Sequence, residues 1–453
     1  MPRSIARSDS IERREARAVQ IDTDSCRPPS QARRSRGFGR LQAVGTERDE
    51  RDLDKIAAVV LAVSVGMYLG LGYGVTLGFL AAAATAPIWA SAALSDRRFR
   101  IVLMLTVLAV ASGLVLFGNA TERSIADWLS LSVGIVTVPL SAGALIWASR
   151  VLSVDRMALA FAVGSMLGIP FSGDDQGNPW RFTYSIPIAL LLLAWTGRRT
   201  TMILPQILVL LGLAGAGMLN DSRSNTAFLL LAASVILVQH LFGQSKSKKL
   251  TRGVGILILI IALAYALYEA VTAAILGGDF GADAQQRTQA QIDSAGSLLL
   301  GGRPELAASY ALLSEHPLGI GPGVDASWAD FQLAKQAMWN IGYDPNNGYV
   351  SRYMFGSGIE VHSTLGDLWL RFGIVGAILV LFLAWLNLSA LVNGLVQRAV
   401  SGLFIYLVIR SIWDLAVSPF ASSAELMPLV LALALLMPRL ERSRKGCIET
   451  GGA

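Results

Sequence analysis

Between residues 373 and 397 the chain carries no charged side chain, and long uncharged apolar runs of this kind recur along most of its length. A helix needs about 20 predominantly apolar residues to cross the hydrocarbon core of a bilayer, and these runs approach that length. They also explain the composition. Of 453 residues, 53% are hydrophobic and 15% are charged, with a mean hydropathy of +0.52; soluble domains carry roughly 25% charged residues. No single water-soluble core is implied. The fold class is all-α and polytopic.

By length and apolarity about twelve segments span, near 54–72, 74–94, 100–118, 127–149, 156–172, 182–197, 202–220, 225–243, 254–276, 366–390, 399–420 and 424–438. The net charge of +6 is no nucleic-acid signal, because the cations gather in short loops and tails. Asp96-Arg97-Arg98-Phe99-Arg100, Arg150 with Arg156, Arg198-Arg199, Lys246 with Lys248-Lys249 and Arg252, and Arg398 fall on one side, together with the N-terminal tail and Arg439, Arg442, Arg444 and Lys445. Lys and Arg mark the cytoplasmic face. Both termini are therefore expected inside, and the long segment 277–365 outside.

This divides the chain into a basic, disordered cytoplasmic tail (1–53), nine spans (54–276), a large extracytoplasmic loop (277–365), three spans (366–438) and a second cytoplasmic tail (439–453). The first apolar run begins only after about fifty polar residues, so no secretory signal peptide is read. The N-terminal tail either touches anionic lipid or simply sets topology. Cys26 and Cys447 lie in the tails and imply no disulfide framework.

A loop as long as 277–365 is functional or disordered, and this one has helical patterning. Residues 304–315 suit a helix with Pro304 in its first turn. Residues 327–339 put Trp328, Phe331 and Met338 at helical spacing, either on the outer leaflet or against the protein's own bundle. Pro317, Gly319, Gly321, Pro322 and Gly323 form a turn-rich link between them.

Three histidines are present. His240 closes a span on the cytoplasmic side. His316, in Glu315-His316-Pro317, either shapes a turn or contacts substrate. His362 stands where the polar loop meets an apolar helix, and a neutral imidazole there can take a proton from a hydroxyl; Glu360 is close enough in sequence to influence it. Arg223, in a very short outer connection, and Arg303, in the large loop, are cations on a face that is otherwise acidic. A guanidinium fork binds phosphate oxygens in pairs, although either arginine could equally serve a surface salt bridge. Arg410 and Asp414, four apart on one apolar helix, suit an intramembrane ion pair, with a substrate-phosphate contact open to Arg410. Asp367 and Arg371 share that spacing and suit a brace for the helix after His362. Asp174-Asp175 either binds a divalent cation or is a solvated acidic loop.

His362-Ser363, then nine residues, then Gly373-Ile374-Val375-Gly376 resembles the signature of the O-antigen ligase superfamily, which includes Wzy-type polysaccharide polymerases. Arg303 to Gly323, ending His-Pro-Leu-Gly-Ile-Gly-Pro-Gly, is similar to that family's Arg-bearing helix and glycine turn. The Trp that usually follows the Arg is missing, with Tyr310 nearby. Ser222-Arg223 is similar to its short-loop Ser-Arg, though Thr226 replaces the Leu of the Arg-x-x-Leu form. Asn178-Pro179 resembles the Asn-Pro of the preceding outer loop.

The resemblance spans roughly residues 170–390. It implies inverting glycosyl transfer outside the cytoplasmic membrane, without metal or other cofactor. The donor would be a glycan on polyprenyl diphosphate, and the acceptor a lipid-linked repeat for a polymerase or lipid A-core for a ligase. His362 would act as base, and Arg223 and Arg303 would hold the diphosphate. Loss of Arg-x-x-Leu leans toward polymerase. A secondary transporter and a metal-dependent membrane glycosyltransferase using Asp174-Asp175 are the other readings. The transporter reading lacks the related halves and paired broken helices such proteins often show.

Overall fold

The structure, a computed structural model, describes residues 41–171, 177–198, 203–241, 249–356, 358–397 and 400–437. Cys26, Cys447, Asp174, Asp175 and the outer parts of both tails lie outside the described residues. Residues 54–436 make one compact unit. The two chain ends make a second, of which residues 41–53 and Met437 are described.

The fold is all-α apart from a small hairpin. In chain order it comprises α1 (Leu41–Met67), β1 (Gly70–Gly72), β2 (Val75–Thr76), α2 (Leu77–Ala84), α3 (Ala86–Leu94), α4 (Arg97–Asn119), α5 (Ile125–Leu152), α6 (Val154–Gly168), α7 (Ser185–Gly197), α8 (Ile203–Leu219), α9 (Arg223–Leu241) and α10 (Lys249–Leu276). The loop contributes α11 (Ala282–Ala295), α12 (Leu298–Gly302), α13 (Glu305–Glu315) and α14 (Trp328–Asn340). The chain closes with α15 (Thr364–Val396), α16 (Gly402–Val417), α17 (Phe420–Ser423) and α18 (Met427–Met437).

Among the described residues, five helices are long and apolar enough to cross a membrane, or six if the bent α2–α3 pair is one span. The chain is a polytopic membrane protein. The other expected spans do not combine that length and apolarity. Residues 182–197 and 399–420 give α7 of 13 residues and α16 of 16 residues, and α8 has 17. The expected span at 74–94 is broken at Thr85 by 83°. Pro87 stands in the first turn of α3, where it starts a new helix and cannot continue the old one.

Polar residues set the helix starts. Asp96, Ser124, Ser363 and Ser401 each accept a backbone N–H of the first turn with their side chains, which satisfies donors that have no partner inside the helix. Burial is uneven. Most of α16 and α18 is buried, including Phe404, Tyr406, Leu429 and Leu435. No residue in the apolar window of α10 is buried, the pattern of a helix whose sides face lipid. Gly66 on α1 and Gly164 on α6 lie against each other's helix backbone where a Cβ would collide, the close approach that small residues permit between membrane helices.

The large loop is folded around its own core. Ala308 and Leu312 of α13, Ala334 and Met338 of α14, Val350, Met354, Val361 and Leu370 of α15 pack together. Of the expected stripe, Met338 is buried in this core and Phe331 packs against it. Trp328 stacks on Phe331, with ring centroids 6.3 Å apart, and is 76% exposed.

Candidate active site

His362 sits one residue before the N-cap of α15, in the left-handed backbone region at φ 52°. A non-glycine residue held in such a region costs about 1–3 kcal/mol and persists only where its surroundings enforce it. They do so here. One oxygen of buried Asp367 accepts Val361 N–H at 2.8 Å and the other accepts Phe420 N–H at 2.8 Å, tying the His362 turn to the start of α17. Arg371 donates to the Ile359 carbonyl at 2.8 Å, and Ser309 of α13 donates to the Val361 carbonyl at 2.7 Å. Asp367 and Arg371, expected to brace their helix, therefore brace the segment that carries His362.

The tautomer follows from one contact. His362 Nδ1 lies 3.3 Å from the Glu360 carbonyl oxygen. A carbonyl can only accept, so Nδ1 carries the proton and the neutral ring keeps its lone pair on Nε2. The ring lies beside that of Tyr349, with centroids 6.0 Å apart. Burial, then the nearby Glu305 charge, pushes the Tyr349 pKa far above the usual range, so the phenol stays protonated. Glu305 is buried and pairs with Arg303 at 3.2 Å. Arg303 in turn lies over the Trp413 ring of α16, 5.9 Å from its centroid.

Arg303 belongs to a larger cationic group. Arg181, just before α7, is pushed down in pKa by burial; Asp221 opposes this, while the charges of Arg303, Arg223 and Arg287 add to it. A guanidinium nevertheless remains charged. Asn178 supplies the geometry that brings Arg181 there: its amide donates to the Asn220 carbonyl at 2.8 Å and its side-chain oxygen accepts Arg181 N–H at 3.0 Å. Arg223 pairs with Asp221 at 3.1 Å and donates to Thr288 of α11 at 3.1 Å. Arg287 reaches the other oxygen of Asp221 at 3.2 Å.

The motif glycines Gly373 and Gly376 lie at a break in α15. Gly373 takes φ 68° and ψ −163°, splitting the helix. Gly376 comes against the Leu368 carbonyl, where any Cβ would collide. The carbonyl of Leu370, on the N-terminal side of the break, accepts Ile320 N–H at 2.6 Å and Gly321 N–H at 3.0 Å from the glycine turn. Trp369 adds a bond to the Pro317 carbonyl at 2.8 Å. The two stretches singled out in sequence, 362–376 and 316–323, are thus halves of one joint. Gly113 of α4 leaves room behind it for Phe372 and Pro322.

The remaining candidates fall elsewhere or have other partners. His316 closes α13 and its Nε2 lies 2.6 Å from Asp330. Burial raises the Asp330 pKa, but hydrogen bonds from His316 and Ser327 bring it below the usual value. Glu360 is held up in pKa by burial, partly offset by Arg371, which lies 3.7 Å away. Arg410 forms the expected pair with Asp414 at 3.3 Å. A groove of about 430 Å³ between α13 and α14 includes Tyr310 and Ser314 in its lining but not His362 or the arginines. Among the described residues, no group of three His, Cys, Asp or Glu side chains is arranged to hold a metal ion.

Sequence reading did not single out Tyr349, Glu305, Trp413 or Arg181. Arg181 had a signal, a cation two residues after Asn178-Pro179 on the acidic face. The other three are ordinary in sequence and acquire their place only by folding. No protein-family model, curated protein or solved structure matches the chain.

Proposed function

We propose that this protein transfers a glycan from a polyprenyl-diphosphate carrier to an acceptor hydroxyl at the extracytoplasmic face, in the manner of O-antigen ligases and polysaccharide polymerases. One observation carries the reading: an imidazole whose Nε2 keeps its lone pair stands beside Tyr349, Tyr349 feels the Glu305 charge, and Glu305 pairs with Arg303. That pairs a base with an anion site, as displacement of a diphosphate requires.

In the proposed step, His362 Nε2 takes the proton of the acceptor hydroxyl. The oxygen attacks the anomeric carbon, and the bond from that carbon to the diphosphate breaks. The electron pair leaves with the diphosphate, which Arg223 and Arg303 hold. The configuration inverts, and the step uses no metal or other cofactor. The accompanying topology has twelve spans in the cytoplasmic membrane, both termini inside and residues 277–365 outside, so the shorter helices α7, α8, α16 and α18 count among the spans. Loss of the Arg-x-x-Leu form favours a polymerase, with a lipid-linked repeat as acceptor.

The test is a strain lacking the gene, complemented with wild type or His362→Ala at equal membrane abundance. Removing a general base lowers turnover ~10²–10⁴-fold. Single repeats accumulating on the carrier identify a polymerase, and full-length chains stranded there identify a ligase. Unchanged envelope glycans in the deletion strain overturn the proposal and favour transport. Near-normal transfer by His362→Ala removes the role given to His362.

A further inference from the structure

The turn between α8 and α9 places a carboxylate inside the arginine group. Asp221 gives one oxygen to Arg223 at 3.1 Å and the other to Arg287 of the large loop at 3.2 Å. It does so from the left-handed backbone region, at φ 49°, a conformation that Asp and Asn tolerate better than other non-glycine residues. The local hydrogen bonds hold it there: Asp221 N–H donates to Met218 O at 3.4 Å and Ser222 N–H donates to Gly217 O at 2.9 Å.

Charge counting gives this carboxylate a purpose. Arg223 and Arg287 both contact Asp221, and Arg181 feels the charges of Asp221, Arg223, Arg287 and Arg303. Glu305 neutralises part of the Arg303 charge. Arg223 and Arg287 both rest on the one Asp221 carboxylate, so displacing it frees two positive charges, which match the two negative charges of a diphosphate esterified at both ends.

We propose that Asp221 is a resident counter-ion that sets the specificity of the arginine site for a diphosphate. An entering anion must displace the Asp221 carboxylate from Arg223 and Arg287. Two linked phosphates engage several guanidinium forks at once and do so; a single phosphate offers fewer contacts and competes poorly. Asp221 also keeps both side chains oriented while the site is empty of ligand, and Thr288 holds the far end of Arg223 at 3.1 Å. This inference rests on the diphosphate reading of the site and adds what discriminates at it.

The experiment is titration calorimetry on the full chain in detergent micelles, with inorganic pyrophosphate and, separately, inorganic phosphate as probes. Asp221→Asn is the main variant, because Asn accepts the same backbone conformation, removes the charge and leaves a single acceptor oxygen for the two guanidinium groups. Wild type is expected to prefer pyrophosphate by tenfold or more. Asp221→Asn is expected to tighten phosphate about tenfold and pyrophosphate less, so that the preference narrows. An unchanged preference in Asp221→Asn, or weaker binding of both probes, overturns the proposal. Should Asp221→Asn fail to fold, Arg287→Gln serves instead: it is expected to weaken pyrophosphate more than phosphate, and equal weakening overturns the proposal. A narrowed preference in a protein whose deletion leaves envelope glycans unchanged upholds the counter-ion and defeats glycosyl transfer. His362-dependent transfer with an unchanged preference in Asp221→Asn does the reverse.

Discussion

At the scale of the residue, the site is defined by what its neighbours forbid. His362 cannot relax from φ 52° while Asp367, Arg371 and Ser309 hold the backbone around it. Its Nδ1 cannot accept while it faces a carbonyl. Glu360, two residues earlier, contributes against stability. Burial is the main cause of its raised pKa, with Asp367 adding to the rise and Arg371 opposing it. A carboxyl whose folded pKa is raised contributes stability in its protonated form, present below the unfolded value and lost as pH rises through the folded value. Glu360→Gln should therefore raise the thermal unfolding temperature at pH 7 and leave it unchanged near pH 3. An equal gain at both values would show that charge burial is not the cause. His362, Arg223 and Arg303 were legible from residue type and motif. The approach of Tyr349 to His362 and of Arg303 to Trp413 was not, because each brings together residues that no motif relates.

At the scale of the element, the broken helix α15 is the decisive feature. Residues 374–396 rise about 34 Å at 1.5 Å per residue, enough alone to cross a core of about 30 Å. The piece before Gly373 is therefore surplus to the span and free to carry the His362 turn. Apolarity along the sequence could not reveal the break, since 366–390 reads as one continuous span. Gly373 lies where a Cβ would come within 2.9 Å of the Leu318 carbonyl and 3.1 Å of Ser112 Oγ, at a φ that L side chains rarely adopt. Gly373→Ala should cost about 1–3 kcal/mol, seen as a lower unfolding temperature in detergent. Ile374→Ala, next door and 48% exposed, should change it far less. Equal losses at the two positions would mean that the break does not depend on glycine.

At the scale of the whole molecule, the proposed topology follows from charge distribution. In a chain with Cys26 and Cys447 replaced by Ser, Trp328→Cys should react with a membrane-impermeant maleimide in intact cells, since Trp328 is 76% exposed. Arg97→Cys, exposed at the first residue of α4, should react only after permeabilisation; the opposite pattern would invert the topology. Membrane character and helical class were settled by the sequence itself, because uncharged runs of bilayer length have few alternatives. Cations in short loops pointed to an orientation for the same kind of reason: charge is costly to move across hydrocarbon. Helix lengths were less legible, as α2 and α3 show, because a proline and a bend alter geometry without altering hydropathy. Only the tertiary structure decided which polar groups meet. Arg181, Arg287 and Asp221 come from three separate connections, and nothing periodic in the chain relates them. Their meeting depends on how α7, α9 and α11 pack, and packing is a property of the whole set of contacts, not of any one segment.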